Sequence, residues 1–284
     1  MLLGGDVFIN TVDPEEYASF LEGKGYKAGY FPFSPTWKLD SKMTSELAAF
    51  KKAFEKRNLV IAEVGAWRNP FDPDPEEAKK SIEFIIDRLA IADEVGARCT
   101  VCCIGSIVNG NISAFNMSNE FYNQALELYR KIIDAVKPKA TRMAFEILPF
   151  NFLDNAETYE QFFKDIDRKN YMGIHLDPIN LIVSPRLYYR SGEVFTDAIK
   201  RLAPLGIVSM HLKDLVLHPS LPNTFLEEVP MGLGGMDIKA LLLAINKYLP
   251  KDVPLMLEHL NNNFEYDKAA AHTRMVAREV GLTL

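Results

Sequence analysis

Short apolar runs rich in β-branched residues alternate with longer amphipathic segments along most of the chain. Runs of this length, bounded by glycine, proline or asparagine, are typical of buried strands. The sequence therefore predicts eight strands, which cover residues 7–10, 26–33, 59–65, 99–104, 142–148, 171–177, 206–211 and 253–258.

The segments between these runs have apolar residues at spacings of three and four, as at Leu47, Phe50 and Phe54, which predicts helices. Asp13 before Pro14 is typical of a helix start, and Gly96 of a helix end. The predicted helices cover residues 14–23, 41–57, 75–95, 118–136, 155–166, 193–202, 236–249 and 265–280. Residues 67–75 and 215–235 are predicted to be loops.

Eight strand–helix units without a domain-like break predict a parallel sheet. They fit an α/β protein with the (β/α)8 TIM barrel fold, formed by one domain over residues 1–284. A six-stranded doubly wound sheet is the alternative, but the sequence predicts two strand–helix units more than that fold contains. In barrels of this kind, functional side chains lie at the carboxyl ends of the strands.

Composition narrows the class of protein. The 284 residues are 48% hydrophobic and 25% charged, as in ordinary globular proteins. The net charge of −6 argues against a nucleic-acid-binding surface. We read Cys99, Cys102 and Cys103 as reduced core thiols, because an odd number of cysteines in an apolar run does not form a disulfide framework.

The amino-terminal residues lack the basic region and the apolar segment of a signal peptide. No run approaches the length of about 18 apolar residues that a membrane span needs. We therefore expect a cytoplasmic protein without a membrane partner.

Four residues of metal-binding type end four successive predicted strands: Glu146, Asp177, His211 and Glu258. One acid at a strand end is most simply a helix cap or a salt-bridge partner, but four in successive units favour a metal site. Three carboxylates and one imidazole suit a hard or borderline divalent cation. Mn²⁺ is the first choice, with Mg²⁺, Co²⁺ or Zn²⁺ as alternatives.

Other residues near these strand ends are candidates for substrate binding. His175 shares the inward face of the sixth strand and either supports the site, binds substrate or is simply packed. Lys213 either binds a phosphate or carbonyl group or forms a salt bridge. Trp67 and Phe71, in the loop after the third strand, either form an apolar wall of a substrate site or pack within the loop.

The chain resembles the xylose isomerase-like TIM barrel family of sugar phosphate isomerases and epimerases, a superfamily that also contains the family 2 apurinic (AP) endonucleases. The resemblance extends over nearly the whole chain. The segments that carry it are residues 61–69, 90–97, 145–146, 173–178, 211–214, 231–237 and 257–258.

This resemblance implies that Glu146, Asp177, His211 and Glu258 bind one divalent metal ion. In the ketose 3-epimerase branch the two glutamates are also catalytic. One removes a proton from the carbon next to the carbonyl, and the other returns a proton to the opposite face. The metal stabilises the intervening enediolate.

The sequence departs from that branch at two places. Asn180 stands where the branch usually has a histidine, and Leu217 stands near the place of an arginine. An amide can hydrogen-bond a sugar hydroxyl but cannot become cationic. We therefore expect Asn180 to bind substrate, while these departures weaken the case for that particular epimerisation.

The leading hypothesis is a metal-dependent isomerase or epimerase that acts on a keto sugar or sugar phosphate. The alternative is a metal-dependent lyase or dehydratase that acts on a keto-polyol or keto-glycoside. An abasic-site endonuclease is disfavoured by the acidic charge and by Asn180, which stands where that branch needs a histidine. We expect a small carbohydrate as substrate and a homo-oligomer that pairs through residues 215–235.

Overall fold

The structure, a computed structural model, describes residues 1–32, 39–108, 112–219 and 224–284. Within these residues, eight parallel strands form a nearly closed barrel that alternates with helices, which confirms the predicted fold. The barrel strands are β1 (Leu2–Gly5), β2 (Ala28–Tyr30), β3 (Val60–Gly65), β4 (Cys99–Cys102), β5 (Met143–Phe145), β6 (Ile174–Leu176), β7 (Ile207–Leu212) and β10 (Pro254–Leu257). A hairpin of β8 (Asp214–Pro219) and β9 (Thr224–Val229) lies between the last two.

The strands follow one another around the barrel in the order β5, β4, β3, β2, β1, β10, β7 and β6. Backbone pairing between Met143 and Met172 joins the two ends of this sheet. The Met143 amide donates to the Tyr171 carbonyl at 2.8 Å, and the Gly173 amide donates to the Met143 carbonyl at 2.9 Å. A short bridge therefore links the two edges of the nearly closed barrel, where β5 meets the segment that leads into β6.

The helices begin where side chains can accept hydrogen bonds from their first free amides. Asp13 and Asp74 each accept one such bond at 2.9 Å, and Gly96 ends the third helix in a left-handed conformation. The helices are α1 (Pro14–Gly23), α2 (Thr44–Glu55), α3 (Pro75–Val95), α4 (Asn119–Val136), α5 (Ala156–Asp165), α6 (Pro185–Tyr188), α7 (Ser191–Leu202), α8 (Ile238–Tyr248) and α9 (Asn263–Glu279).

The first strand differs from the prediction. It is β1, not residues 7–10, even though it contains two glycines, which are depleted in strands. A Cβ atom on Gly4 would lie 2.4 Å from the Ala28 carbonyl oxygen and 2.7 Å from the Met256 sulfur. Close packing at the centre of the barrel therefore selects glycine here, and this tertiary requirement outweighs local propensity.

The predicted loop at residues 215–235 is also wrong over much of its length, because it contains most of the antiparallel hairpin of β8 and β9. Its prolines suggested a loop, but Pro219 lies at the end of β8, where proline is tolerated. Residues 220–223 of this stretch lie outside the described residues. So does Phe33, the last residue of the predicted second strand.

Two shifts in strand pairing change which side chains face the barrel interior. Gly29 pairs with Ile61, but the next residue, Tyr30, pairs with Glu63. In the same way, Ile174 pairs with Ile207, but His175 pairs with Ser209. Shifts of this kind re-aim side chains next to functional sites, and here they bring Glu63 and Ser209 into contact inside the barrel.

The three cysteines are free thiols, and the described helices can be assessed as membrane spans. Cys99 and Cys102 are buried free thiols, and Cys103 is a half-buried free thiol. Among the described helices, none has the length and hydrophobicity required to cross a membrane.

We expect Gly4→Ala to destabilise the protein by about 1–3 kcal/mol or more, because the added methyl group overpacks the barrel centre. Gly23→Ala is the matched control. No atom lies within 4 Å of the Cβ position at Gly23, and we expect a change below about 1 kcal/mol. Urea unfolding of both variants measures the difference. Equal stability of the two would contradict the assignment of β1.

Candidate metal centre

Four side chains converge at the carboxyl end of the barrel. Glu146, Asp177 and Glu258 each directly follow a strand, namely β5, β6 and β10, and His211 lies in β7. One nitrogen or oxygen atom from each lies within 4.8 Å of the corresponding atoms of the others. The structure therefore brings together all four residues that the sequence predicted as metal ligands.

The imidazole of His211 is at the centre of this group. Its Nδ1 atom lies 2.9 Å from Glu258 Oε2, 3.4 Å from Glu146 Oε1 and 3.8 Å from Asp177 Oδ2. Asp177 and His211 are fully buried, whereas the Glu258 side chain is 17% exposed. Glu258 is therefore the ligand candidate that is most open to a substrate.

The buried charges of this group indicate that it fits a cation. His211 Nδ1, Asp177 Oδ2 and Glu258 Oε2 are buried and make no hydrogen bond of good geometry, and their close contacts are with one another and with the Lys213 ammonium group. Gathering carboxylates in a buried site is costly without compensating positive charge. Three carboxylate oxygens and one imidazole nitrogen form a donor set that suits Mn²⁺, Mg²⁺ or Co²⁺, and Zn²⁺ also accepts it.

Lys213 supplies a positive charge next to these carboxylates. Its Nζ atom lies 2.8 Å from Asp177 Oδ2 and 2.7 Å from Glu258 Oε2, and the side chain is 3% exposed. Burial alone raises the pKa of Asp177, but Lys213 and His211 hold it well below its usual range. In the same way, His211 and Lys213 outweigh burial and lower the pKa of Glu258 to about 2. Both carboxylates are therefore ionised at neutral pH.

On the other side of the His211 ring from the three carboxylates, Glu63 forms a second buried cluster with His175, His211 and Ser209. This cluster was missed in the sequence analysis. Glu63 is 1% exposed. Glu63 Oε2 lies 3.2 Å from His211 Nε2, and Glu63 Oε1 lies 3.4 Å from His175 Nδ1 and accepts a hydrogen bond from the Ser209 hydroxyl. Burial raises the pKa of Glu63, but the two histidines hold it well below its usual value. The signal in the sequence was an acid within an apolar strand, where an unpaired charge is costly.

Two of the predicted substrate-binding residues, His175 and Asn180, contact candidate metal ligands. His175 is fully buried, and its ring centre is 4.1 Å from that of His211. Asn180 is half-buried, and its amide donates a hydrogen bond of 3.2 Å to Glu146 Oε1. Both residues therefore contact side chains of the predicted metal site directly.

Trp67 lines an open cavity of about 220 Å³ at the carboxyl ends of β3, β4 and β5. Phe71 instead packs edge-on against Phe121, with ring centres 4.8 Å apart. The other residues that line the cavity are Arg68, Asn69, Cys103, Gly105, Leu148, Phe150 and Asn151.

At the rim, His259 is a further residue that sequence reasoning missed. Its Nδ1 atom lies 2.7 Å from Glu228 Oε1 and 3.3 Å from Lys213 Nζ, and its Nε2 atom lies 3.4 Å from Glu258 Oε1. The hydrogen bond to Glu228 raises the pKa of His259. No spacing in the sequence marks this residue, because Glu228 comes from the hairpin.

Asp214 organises the glycine-rich segment that follows the hairpin. Its carboxylate accepts backbone hydrogen bonds from the amides of Leu215, Gly232, Gly234 and Met236, at 2.9 to 3.2 Å. These amides already have an acceptor, so this segment shapes the loop before α8 and does not bind phosphate through these groups.

Comparison with known proteins gives a family and several similar structures. A family model described as xylose isomerase-like TIM barrel matches residues 22–276. No curated protein matches the sequence.

Three solved structures illustrate the similarity. D-psicose 3-epimerase from Clostridium cellulolyticum H10, solved with D-tagatose, is 14% identical, with a TM-score of 0.71 over 99% of this chain and 100% of that one. A probable 3-DHS dehydratase, AsbF, from Bacillus anthracis is 13% identical, with a TM-score of 0.66 over 95% and 94%. A xylose isomerase-like TIM barrel protein from Mycobacterium smegmatis, in complex with magnesium, is 14% identical, with a TM-score of 0.64 over 94% and 87%.

We expect Mn²⁺ to stabilise the protein through these four residues. At about 100 times its dissociation constant, a bound ion raises the free energy of unfolding by about 2.7 kcal/mol. Asp177→Ala removes one of the candidate ligands and should abolish this increment. Asp252→Ala is the control, because Asp252 is an exposed acid paired with Arg98. Chemical unfolding with and without Mn²⁺ measures the increment, and an equal increment in Asp177→Ala would place the ion elsewhere.

Proposed function

We propose a function from the premise that this chain belongs to the xylose isomerase-like TIM barrel family. The proposed enzyme is a divalent-metal-dependent isomerase or epimerase of a keto sugar or its phosphate. One observation carries the proposal: Glu146, Asp177, His211 and Glu258 converge, with one nitrogen or oxygen atom of each within 4.8 Å of those of the others. The similar fold of a D-psicose 3-epimerase supports it.

The proposed ligands of one divalent ion are Glu146, Asp177, His211 and Glu258. Mn²⁺ is our first choice, because three of the four donors are carboxylates and the fourth is an imidazole. Mg²⁺, Co²⁺ and Zn²⁺ are alternatives, and the similar M. smegmatis protein contains magnesium. When bound, such an ion supplies polarisation of a carbonyl and partial neutralisation of an enediolate.

Glu146 and Glu258 are the proposed proton-transfer residues. One carboxylate removes the proton from the carbon next to the substrate carbonyl, and the electron pair of that bond forms the enediolate. The other carboxylate delivers a proton to the opposite face of the same carbon, so that the product is the epimer. Glu258 is ionised at neutral pH, and a carboxylate in that state can accept a proton.

The neighbouring side chains are proposed to orient the metal-site residues Glu146 and His211 and to bind the sugar. Asn180 orients Glu146 through its amide hydrogen bond and can also meet a sugar hydroxyl. Lys213 can donate to a substrate oxygen next to Glu258. Trp67 forms an apolar wall of the adjoining cavity. The full burial of His175 favours a role in supporting His211 over direct contact with the sugar.

A metal-dependent lyase or dehydratase that acts on a keto-polyol or keto-glycoside is the second candidate. It begins with the same proton abstraction and then expels a substituent from the neighbouring carbon. The similar fold of the B. anthracis dehydratase supports this second candidate.

An abasic-site endonuclease remains disfavoured by the net charge of −6. The single domain, the cytoplasmic compartment and the homo-oligomer remain proposals from the sequence.

Product analysis tests the function directly. The Mn²⁺-loaded protein is incubated in D₂O with unphosphorylated and phosphorylated ketoses, and the products are followed by proton NMR. Deuterium at the carbon next to the carbonyl, with an epimer or isomer as product, supports the leading proposal. Loss of water or of an aglycone supports the lyase. Absence of exchange with every keto sugar, from a protein that binds metal, would overturn both.

Glu258→Gln should lower kcat by about 10²–10⁴-fold, because the amide cannot accept the proton. Because Glu258 is also a proposed metal ligand, the assay uses saturating Mn²⁺, and ligand binding is measured separately by calorimetry. Glu94→Gln, at an exposed position in α3, is the control. Retained turnover in Glu258→Gln would show that Glu258 does not carry the proton.

Trp67→Ala should raise KM roughly 10-fold, which corresponds to about 1.4 kcal/mol of binding free energy, while kcat changes little. The reason is the loss of the apolar wall, which leaves the proposed proton-transfer residues intact. Phe71→Ala is a control from the same loop, since Phe71 packs on Phe121. Steady-state kinetics with the best ketose measures both variants. An unchanged KM in Trp67→Ala would place the sugar elsewhere.

A further inference from the structure

We infer that Glu63 is a positioning residue that orients His211 and fixes which imidazole nitrogen faces the metal site. The inference rests on the proposed metal centre, but it concerns a residue outside the ligand set. Glu63 lies on the opposite side of the His211 ring from Glu146, Asp177 and Glu258: it meets Nε2, whereas they surround Nδ1.

The backbone is shaped to present this carboxylate. Ala62 packs inside the barrel with Ala28 and Met256. In a regular strand its neighbour, Glu63, would therefore face the helices, because successive side chains point to opposite faces. The shift in pairing after Gly29 changes this alternation, and Glu63 faces the interior as well.

Ser209 reaches Glu63 through a second shift, on the other side of the barrel. Val208 packs with the interior residues Cys99, Val101 and Ala144, and the next residue, Ser209, also points inward and donates its hydroxyl to Glu63 Oε1. Two separate irregularities thus meet in one buried hydrogen bond. Bulges that re-aim side chains in this way are characteristic of functional sites.

The contacts of Glu63 determine the state of His211. An ionised carboxylate can only accept hydrogen bonds, so the Nε2 atom that faces Glu63 Oε2 at 3.2 Å carries the hydrogen. With the hydrogen on Nε2, the lone pair of a neutral ring lies on Nδ1 and points at the three carboxylates. In metal sites, the partner of one imidazole nitrogen sets which nitrogen binds the ion and raises the basicity of the ligand.

Two other roles for Glu63 are possible, and each predicts something different. As a purely structural ion pair it would affect folding but not metal affinity. As a ligand of a second ion, together with His175 and His211, it would give two ions per chain. The positioning role predicts one ion per chain and an affinity that depends on the Glu63 charge and on its hydrogen bond from Ser209.

The test compares Co²⁺ binding to the full-length wild-type protein, Glu63→Gln and Ser209→Ala. Calorimetry gives affinity and stoichiometry, and the visible spectrum of bound Co²⁺ reports the ligand geometry. We expect one ion per wild-type chain and a dissociation constant that Glu63→Gln raises by about 10–100-fold. The NH₂ group of glutamine can donate to Nε2 of His211, which favours the ring form with its hydrogen on Nδ1 and leaves no lone pair there for the ion. The Co²⁺ spectrum should therefore also change. Glu94→Gln should match the wild type.

Two results would overturn the inference. In the first, Glu63→Gln binds Co²⁺ with the same dissociation constant and the same spectrum as the wild type. In the second, the wild type binds two ions per chain and Glu63→Gln binds only one. If Glu63→Gln does not fold, Ser209→Ala decides, because it keeps the charge and removes only the hydroxyl donor: a raised dissociation constant supports the inference, and an unchanged one contradicts it. A wild-type protein that binds no ion would instead refute the proposed metal centre, and the inference with it.

Discussion

Repulsion between carboxylates at one end of the barrel is the constraint on which the rest of the site depends. Glu63, Glu146, Asp177 and Glu258 are gathered around a single imidazole, and Lys213 is the nearest ammonium group. Like charges at such separations are tolerated in a protein interior only with compensating positive charge. A divalent cation meets this requirement. The same charges that make the site costly to fold therefore make it a candidate for binding a cation.

The barrel makes this concentration of charge possible. Parallel strands end at a common edge, so residues distant in sequence meet there without long side chains. Glu146 and Glu258 are separated around the barrel by only β6 and β7. Their carboxylate oxygens lie 3.4 Å and 2.9 Å from the Nδ1 atom of His211.

Features that depend on local pattern were predictable from the sequence, and features that depend on pairing across the barrel were not. Helix α3 begins and ends at the predicted residues, because Asp74 and Gly96 determine its ends locally. The four ligand candidates were found because each ends an apolar run. Glu63 was missed, because strict alternation would point it away from the site, and only a shift relative to β2 turns it inward. The hairpin was missed, because its strands are stabilised mainly by each other.

The Asp214 carboxylate fixes the base of the hairpin of β8 and β9. It binds backbone amides on both sides of the hairpin, at Leu215 and at residues 232–236, and Asp214 itself pairs with Val229. The base of the hairpin is thus held two residues beyond the end of β7. Between Asp214 and Val229 the hairpin can therefore change in length or sequence without moving its base or the strand end that carries His211. Such a change alters side chains at the mouth of the barrel, such as Glu228, and leaves the cluster of Glu146, Asp177, His211 and Glu258 in place.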